Sequence, residues 1–134
     1  PRVMRDHVIN RGRGFIFSTA PSPLMAACVR EALRIVEEEP GRREALHDLI
    51  GYAGRKLAPF GVSASGSQIM PLVLGDEART MQIAGALRSA GFDIRGIRPP
   101  TVPAGSSRLR ISLTLNIGRA QIDALTGTLS EILA

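Results

Sequence analysis

The chain has 134 residues, of which 44% are hydrophobic and 4% aromatic, so a single domain with an aliphatic core is expected and wholesale disorder is not. One cysteine, Cys28, excludes an internal disulfide, and the apolar runs are too short for a membrane span, which favours a soluble, cytoplasmic protein. The net charge of +5 comes from Arg scattered along the chain without interleaved aromatics, so nucleic acid is not the expected partner.

The first third of the chain predicts helices around one short extended segment. Residues 1–14 are rich in Arg and suit a helix or an arm, and the apolar run 15–17 predicts a strand or extended segment that leads into a loop. Ser22 followed by Pro23 is a helix start, because Ser caps and Pro needs no N–H there. The helix has one apolar face and ends at the acidic run before Pro40.

The rest of the chain alternates between helices and strands. Apolar spacing predicts a second helix over 42–57, and composition predicts a loop over 61–67. The run 69–74 suits a strand that Pro71 places at a sheet edge. A third helix opens at Asp76, presents Met81, Ala84, Leu87 and Ala90 inward, and closes at Gly91.

The last part of the chain predicts two strands and a helix. A strand over 92–97 precedes a stiff, proline-rich loop over 99–105. Strict alternation predicts a strand over 108–115, and a final helix follows over 119–133. We therefore expect an α+β fold with a small three-stranded, largely antiparallel sheet and helices packed on one of its faces.

One polar cluster is a candidate site. Thr101 lies on the proline-rich loop, and Arg108 and Arg110 occupy the polar face of the strand that follows. A stiff loop presents a hydroxyl at little entropic cost, and an Arg side chain can donate two hydrogen bonds to a carboxylate. The pattern suits a carboxylate-binding edge, and it equally suits the exposed face of an edge strand. We expect no metal site, because Cys and His lack the spacing of ligands.

Two segments resemble the α-oxoamine synthases, a family of fold-type I PLP enzymes. The segment Ile-Arg-Pro-Pro-Thr-Val-Pro-Ala-Gly-Ser-Ser-Arg-Leu-Arg-Ile-Ser-Leu-Thr at 97–114 resembles the family's C-terminal signature. The segment Gly-Phe-Ile-Phe-Ser-Thr-Ala-Pro at 14–21 is similar to the one that follows the PLP-lysine region. The resemblance covers essentially the whole chain. It implies that 1–21 leaves a large PLP-binding domain and that 22–134 is the C-terminal small domain.

The resemblance also implies a reaction and residue roles. Ile-Arg-Pro-Pro-Thr-Val-Pro looks most like the branch that condenses L-alanine with pimeloyl-CoA or a pimeloyl-carrier protein in biotin synthesis, using pyridoxal 5'-phosphate. Arg110 then matches the arginine that holds the amino-acid carboxylate, and Thr101 matches a substrate-contacting threonine. Ser18 and Thr19 match the segment that reaches the PLP phosphate of the neighbouring subunit in a homodimer.

The resemblance places the imine-forming lysine upstream of residue 14. Lys56, the only lysine, lies on a helix without the family's flanking pattern, so we expect no catalytic residue in this chain and no activity from it alone. Two alternatives remain open. One is a free-standing basic α/β binding module, and the other is a different branch of the family, such as the 5-aminolevulinate synthases.

Overall fold

A three-stranded antiparallel sheet in the order β1–β3–β2 forms the centre of the fold. Strand β1 is Ile69–Gly75, β2 is Arg95–Ile97 and β3 is Ser107–Ser112. The computed structural model describes residues 1–16, 18–62 and 65–134, and only the backbone of Phe15. The predicted α+β fold with an antiparallel sheet is confirmed, and the last strand in the sequence is the central one.

Helices account for most of the remaining chain. They are α1 (Arg2–Arg11), α2 (Arg13–Ile16), α3 (Pro23–Glu38), α4 (Pro40–Leu57), α5 (Glu77–Ser89) and α6 (Arg119–Leu133), with a 3₁₀ turn at Ala58–Phe60. The chain forms two compact units, Pro1–Glu39 and Pro40–Ala134. The domain boundary predicted after residue 21 stays a prediction.

The first unit contains α1, α2 and α3. The predicted start of α3 is confirmed, because the Ser22 hydroxyl accepts a hydrogen bond from the N–H of Leu24 at 3.3 Å. The predicted strand or extended segment over 15–17 is wrong at residues 15 and 16, which belong to α2. A helical turn satisfies this backbone locally, since the Ile16 N–H bonds to the carbonyl of Gly12. Residue 17 lies outside the described residues.

The second unit has its core on one face of the sheet. Helix α5 lies against all three strands, and α6 packs on both α4 and α5. The helices predicted over 42–57 and 119–133 are confirmed as α4 and α6, and each provides buried side chains. These are Leu49, Ile50, Ala53 and Leu57 from α4, and Ile122, Leu125 and Leu129 from α6. Within the described part of this unit, α4, α5 and α6 therefore lie on one face of the sheet and not on the other.

Both ends of α5 follow from local sequence. The Asp76 carboxylate accepts a hydrogen bond from the N–H of Arg79 at 2.6 Å, which caps the helix start. Gly91 ends the helix at φ +92°, where a side chain would be strained, and the N–H of Phe92 bonds to the carbonyl of Leu87. These bonds confirm the predicted boundaries.

The inward face of α5 is only partly the predicted one. Ala84 and Leu87 are buried as predicted, but Met81 is 42% exposed and Ala90 is also exposed. The core positions are instead taken by Ile83 and by the side chain of Thr80, whose hydroxyl donates to the Asp76 carbonyl. Since that bond satisfies its only donor, the hydroxyl of Thr80 tolerates burial.

Strand β2 is half as long as predicted. The expected strand over 92–97 is wrong for residues 92–94, because the ladder with β3 begins only at Arg95, opposite Arg110. Before that point the N–H of Ile94 bonds locally to the carbonyl of Phe92 at 2.9 Å. The segment 92–94 therefore makes no ladder pair with β3.

The edge strand β1 has two irregularities. Pro71, which has no backbone N–H, pairs with Arg110 in the ladder. The register shifts between Val73 and Gly75, where Gly75 adopts φ +82°. The prediction that Pro71 belongs to an edge strand is confirmed.

We expect replacement of Gly96 by Val to destabilise the protein by about 1–3 kcal/mol, because β2 approaches α5 closely at this residue. A Cβ at residue 96 would lie 2.9 Å from the Met81 sulfur and 3.4 Å from the Thr80 methyl group. Urea unfolding measures the change. The matched control is Gly127→Ala on the exposed surface of α6. A Cβ at residue 127 would have no atom from outside its own helix turn within 4 Å, so this substitution should stabilise the protein by about 1 kcal/mol. Equal stability of Gly96→Val and wild type would contradict the close packing.

Candidate functional site

The sheet face away from the helices carries the predicted polar cluster. Along β3, Leu109 and Ile111 are buried, while Arg110 and Ser112 between and after them are exposed. Side chains of a strand alternate between two faces, so Arg110 must lie on the face opposite the core. We call this the open face of the sheet.

The strand register brings arginines together on the open face. Arg110 pairs across the sheet with Pro71 of β1 on one side and with Arg95 of β2 on the other. Arg108 pairs with Val73 and Ile97 in the same way. Directly opposite like charges destabilise a sheet, and the Asp93 carboxylate, 3.0 Å from the Arg95 guanidinium, offsets part of that repulsion.

The proline-rich loop before β3 is fixed by its own hydrogen bonds. The N–H of Thr101 bonds to the carbonyl of Arg98 at 3.1 Å, and the Ser106 hydroxyl donates to the carbonyl of Pro103 at 2.6 Å. The Arg98 guanidinium contacts Glu77 of α5 at 2.8 Å, which ties the loop to the helix. A loop held at both ends presents the Thr101 hydroxyl with little ordering cost.

The loop and the open face together line one cavity of about 370 Å³. Its lining includes both residues predicted to bind substrate, Thr101 and Arg110, together with Arg108. Apolar walls come from Ile69, Pro71 and Ile97, and further hydroxyl groups from Ser65 and Ser67. The structure therefore places the three polar residues of the predicted cluster around one space.

The two arginines in this cavity differ in their bonding. The Nε of Arg108 donates to the carbonyl of Ser106 at 2.9 Å, and its side chain is half-buried. Arg110 is exposed, and within 1–16, 18–62 and 65–134 its guanidinium makes no hydrogen bond or ion pair. Arg108 therefore links the strand to the loop, whereas the N–H donors of the Arg110 guanidinium are available to a ligand. A carboxylate is the group that best matches such a planar fork.

Ser65 and Ser67 also line the cavity, and the sequence alone does not predict this position. They belong to the segment 61–67, which composition marks only as a loop. Their position follows from the pairing of β1 with β3, because Ile69 lies opposite Ser112 and the preceding residues run beside the cavity. A polar segment directly before a predicted edge strand is the signal that indicates such a lining.

Ser18 and Thr19 belong to the first unit, in the non-helical residues 18–22 before α3, and both are exposed. Their hydroxyls are suitable donors for a phosphate, and their role in binding the cofactor stays a prediction.

Lys56 is engaged in a surface cluster between α4 and α6. Its ammonium lies 2.8 Å from the Asp123 carboxylate, which also accepts a hydrogen bond from the Tyr52 hydroxyl at 2.6 Å. The bond to Asp123, with a smaller contribution from Tyr52, raises the pKa of Lys56 above its ordinary range. An imine-forming lysine requires the opposite shift, since only the neutral amine attacks an aldehyde. Lys56 is therefore poorly suited to hold PLP.

No helix among the described residues combines the length and apolarity needed to cross a membrane. Among the same residues, no three His, Cys, Asp or Glu side chains converge as metal ligands.

The chain is similar to known proteins over nearly its whole length. The profile of the family described as aminotransferase class I and II matches residues 1–129. The 8-amino-7-oxononanoate synthase of Anaeromyxobacter dehalogenans (strain 2CP-C) is 44% identical over 134 residues, which cover 98% of this chain and 34% of that relative. The enzyme of the same name from Alkalilimnicola ehrlichii is 36% identical over the same shares. The chain spans about a third of the curated relatives it matches.

Solved structures show the same fold. Serine palmitoyltransferase from S. paucimobilis with a bound PLP–myriocin aldimine matches with a TM-score of 0.83 and 24% identity, over 95% of this chain and 33% of that one. The 8-amino-7-oxononanoate synthase of Francisella tularensis matches with a TM-score of 0.80 and 20% identity, over 99% of this chain and 39% of that one. From the match over 1–129, the chain belongs to the aminotransferase class I and II family.

Proposed function

We propose that this chain is the C-terminal part of a cytoplasmic, PLP-dependent 8-amino-7-oxononanoate synthase, an acyltransferase of biotin synthesis. The observation that carries the proposal is the cavity lined by both Thr101 and Arg110, whose guanidinium makes no hydrogen bond or ion pair within the described part of the chain. The relatives named as that enzyme, with identities of 36–44%, support it further. The proposed reaction joins L-alanine to a pimeloyl thioester, giving 8-amino-7-oxononanoate, carbon dioxide and the free thiol.

The residues of this chain fit part of a PLP site. When bound, PLP supplies the electron sink for the carbanion chemistry. Arg110 binds the carboxylate of L-alanine with two parallel hydrogen bonds and so orients the amino acid. Thr101 contacts the substrate from a loop that does not need to reorder. Arg108 positions that loop through its bond to Ser106.

The contacts that we propose for Ser18 and Thr19 are with a second subunit. We propose that the enzyme is a homodimer in which the hydroxyls of Ser18 and Thr19 donate to the PLP phosphate of the neighbouring subunit. Both side chains are exposed and precede the start of α3 by only a few residues. Their exposure and hydroxyl chemistry support this role. We also propose that no residue of this chain forms the imine, because its one lysine is ion-paired.

We expect Lys56→Arg to leave the absorption spectrum of this chain mixed with PLP unchanged, before and after addition of L-alanine. The physical reason is that the Asp123 carboxylate, 2.8 Å away, stabilises the protonated form of Lys56 and raises its pKa, whereas only the neutral amine attacks an aldehyde. Wild type and variant share the N-terminal amine, so any band that this amine forms with PLP appears in both spectra. A band that appears with wild type and is absent with Lys56→Arg would identify Lys56 as an imine-forming lysine.

The activity itself is tested with the full-length protein. Release of carbon dioxide and formation of 8-amino-7-oxononanoate from L-alanine and pimeloyl-CoA should both be detected, and glycine with succinyl-CoA should be a poor substrate pair. Turnover of glycine and succinyl-CoA in preference to L-alanine and pimeloyl-CoA would instead assign the protein to the 5-aminolevulinate synthase branch.

A further inference from the structure

The Thr101 cavity, of about 370 Å³, is lined by two cations, Arg108 and Arg110. Among the described residues that line it, none is Asp or Glu. L-alanine carries one carboxylate, and the proposed function assigns that carboxylate to Arg110. The charge of Arg108 therefore has no counterpart either in the described lining or in the amino-acid substrate.

The strand register places the side chain of Arg108 on the same sheet face as the cavity. Leu109 is fully buried in the core, so Arg108 and Arg110 on either side of it lie on the open face. A Cβ at Gly96 would face α5, so Ile97, directly opposite Arg108, also lies on the open face. Since all three open-face residues line the cavity, the cavity lies on this face as well.

The bond between Arg108 and the loop leaves part of its guanidinium free. Its Nε donates to the carbonyl of Ser106 at 2.9 Å, whereas its two terminal nitrogens make no hydrogen bond or ion pair with any residue that the structure describes. The side chain is half-buried, and a shielded charge without a partner is unfavourable. An anionic group of a ligand would supply the missing hydrogen bonds, and the fixed Nε limits the ordering that binding requires.

We propose that Arg108 binds the distal carboxylate of the acyl substrate and so selects a dicarboxylic over a monocarboxylic acyl group. This role rests on the proposed function, in which the acyl group is pimeloyl. Arg108 and Arg110 are two residues apart on one strand, so their Cα atoms are roughly 7 Å apart and each side chain can hold its own carboxylate. Apolar side chains of the same cavity suit the methylene chain between the two charges, and they are those of Ile69, Pro71 and Ile97.

The test compares two thioesters as substrates of the full-length enzyme with L-alanine. Heptanoyl-CoA has as many acyl carbons as pimeloyl-CoA but no distal carboxylate, and both carry the same CoA. The ratio of their kcat/KM values therefore isolates the distal carboxylate from the CoA phosphates. Wild type should prefer pimeloyl-CoA by about tenfold or more, as expected for charge-assisted hydrogen bonds to a carboxylate. Equal kcat/KM values of wild type for the two thioesters overturn the proposal.

Substitutions of Arg108 separate a substrate contact from a structural role. Arg108→Gln should bring the ratio of the two kcat/KM values to within about twofold of one. Loss of the bond to Ser106 affects both thioesters alike, so a ratio that stays at the wild-type value in Arg108→Gln overturns the proposal. Arg108→Lys keeps the charge without the planar fork and should lower the ratio about threefold. Should Arg108→Gln fail to fold, an unchanged ratio in Arg108→Lys overturns the proposal instead.

Arg95→Gln is the matched control. Arg95 also lies on the open face, but it does not line the Thr101 cavity and its guanidinium contacts Asp93 at 3.0 Å. This variant should keep the wild-type ratio. A loss of preference in Arg95→Gln as large as in Arg108→Gln would show a general effect of surface charge and would overturn the assignment to Arg108.

Failure of this proposal is distinguishable from failure of the proposed function. Absence of turnover of both thioesters by the wild-type enzyme overturns the proposed function, and the role of Arg108 with it. Turnover of pimeloyl-CoA with a ratio that the Arg108 variants leave unchanged overturns only the role of Arg108, and the proposed function then stands.

Discussion

Replacement of Arg110 by Ala is expected to lower kcat/KM for L-alanine by about two to three orders of magnitude in the full-length enzyme. Arg110 is the residue in the Thr101 cavity whose guanidinium has no partner in the described part of the chain. Without it, the substrate carboxylate loses two charge-assisted hydrogen bonds and its orientation. Steady-state kinetics over a range of L-alanine concentrations measure the loss.

Two controls define the role of Arg110. Arg110→Lys keeps the charge but not the planar fork, so it should recover only part of the lost kcat/KM. Arg88→Gln removes an exposed arginine that does not line the Thr101 cavity and should leave the kinetics unchanged. If Arg110→Ala retains kcat/KM within about threefold of wild type, the carboxylate role of Arg110 is wrong.

Replacement of Leu109 by Ala is expected to destabilise this chain by about 3 kcal/mol, enough to lower Tm by about 10 °C or more. Leu109 is fully buried in the central strand, and its neighbours across the sheet are Leu72 and Gly96. Gly96 has no side chain with which to fill the space, so a truncated Leu109 leaves a cavity against α5. Thermal and urea unfolding both measure the change.

Leu115→Ala is the matched control for that experiment. The sequence alternation predicts that Leu115 is buried on the same face as Leu109, but β3 ends at Ser112 and Leu115 is 44% exposed. Its removal should therefore change the stability by less than about 0.5 kcal/mol. Equal losses from the two substitutions would show that the strand continues past Ser112 with the predicted alternation.

Features set by neighbouring residues were predictable from the sequence. Ser22 caps α3, Asp76 caps α5 and Gly91 ends α5, because each acts through bonds to residues within a few positions. Thr101 and Arg110 are also close in the sequence, so a strand that directly follows a stiff loop brings them together. Local chemistry therefore indicated the sheet, most helix boundaries and the polar cluster.

Features set by distant residues were not predictable. The spacing of Met81 predicts a core residue. Its exposure instead depends on how α5 approaches β2 at Gly96. The length of β2 depends on where the segment after Gly91 meets β3. Ser65 and Ser67 reach the cavity only through the β1–β3 register. Each of these depends on pairings across the sheet that periodicity along one segment does not encode.

The two outer strands of the sheet also bear on the solubility of the protein. An edge strand with free N–H and C=O groups can recruit a strand from another molecule and begin aggregation. Here β1 has Pro71 and a register shift before Gly75, and β2 has only three residues. Neither edge offers a long regular template for a further strand. Intermolecular β-sheet growth is therefore disfavoured in the folded protein, and contacts between folded molecules should use side-chain surfaces instead.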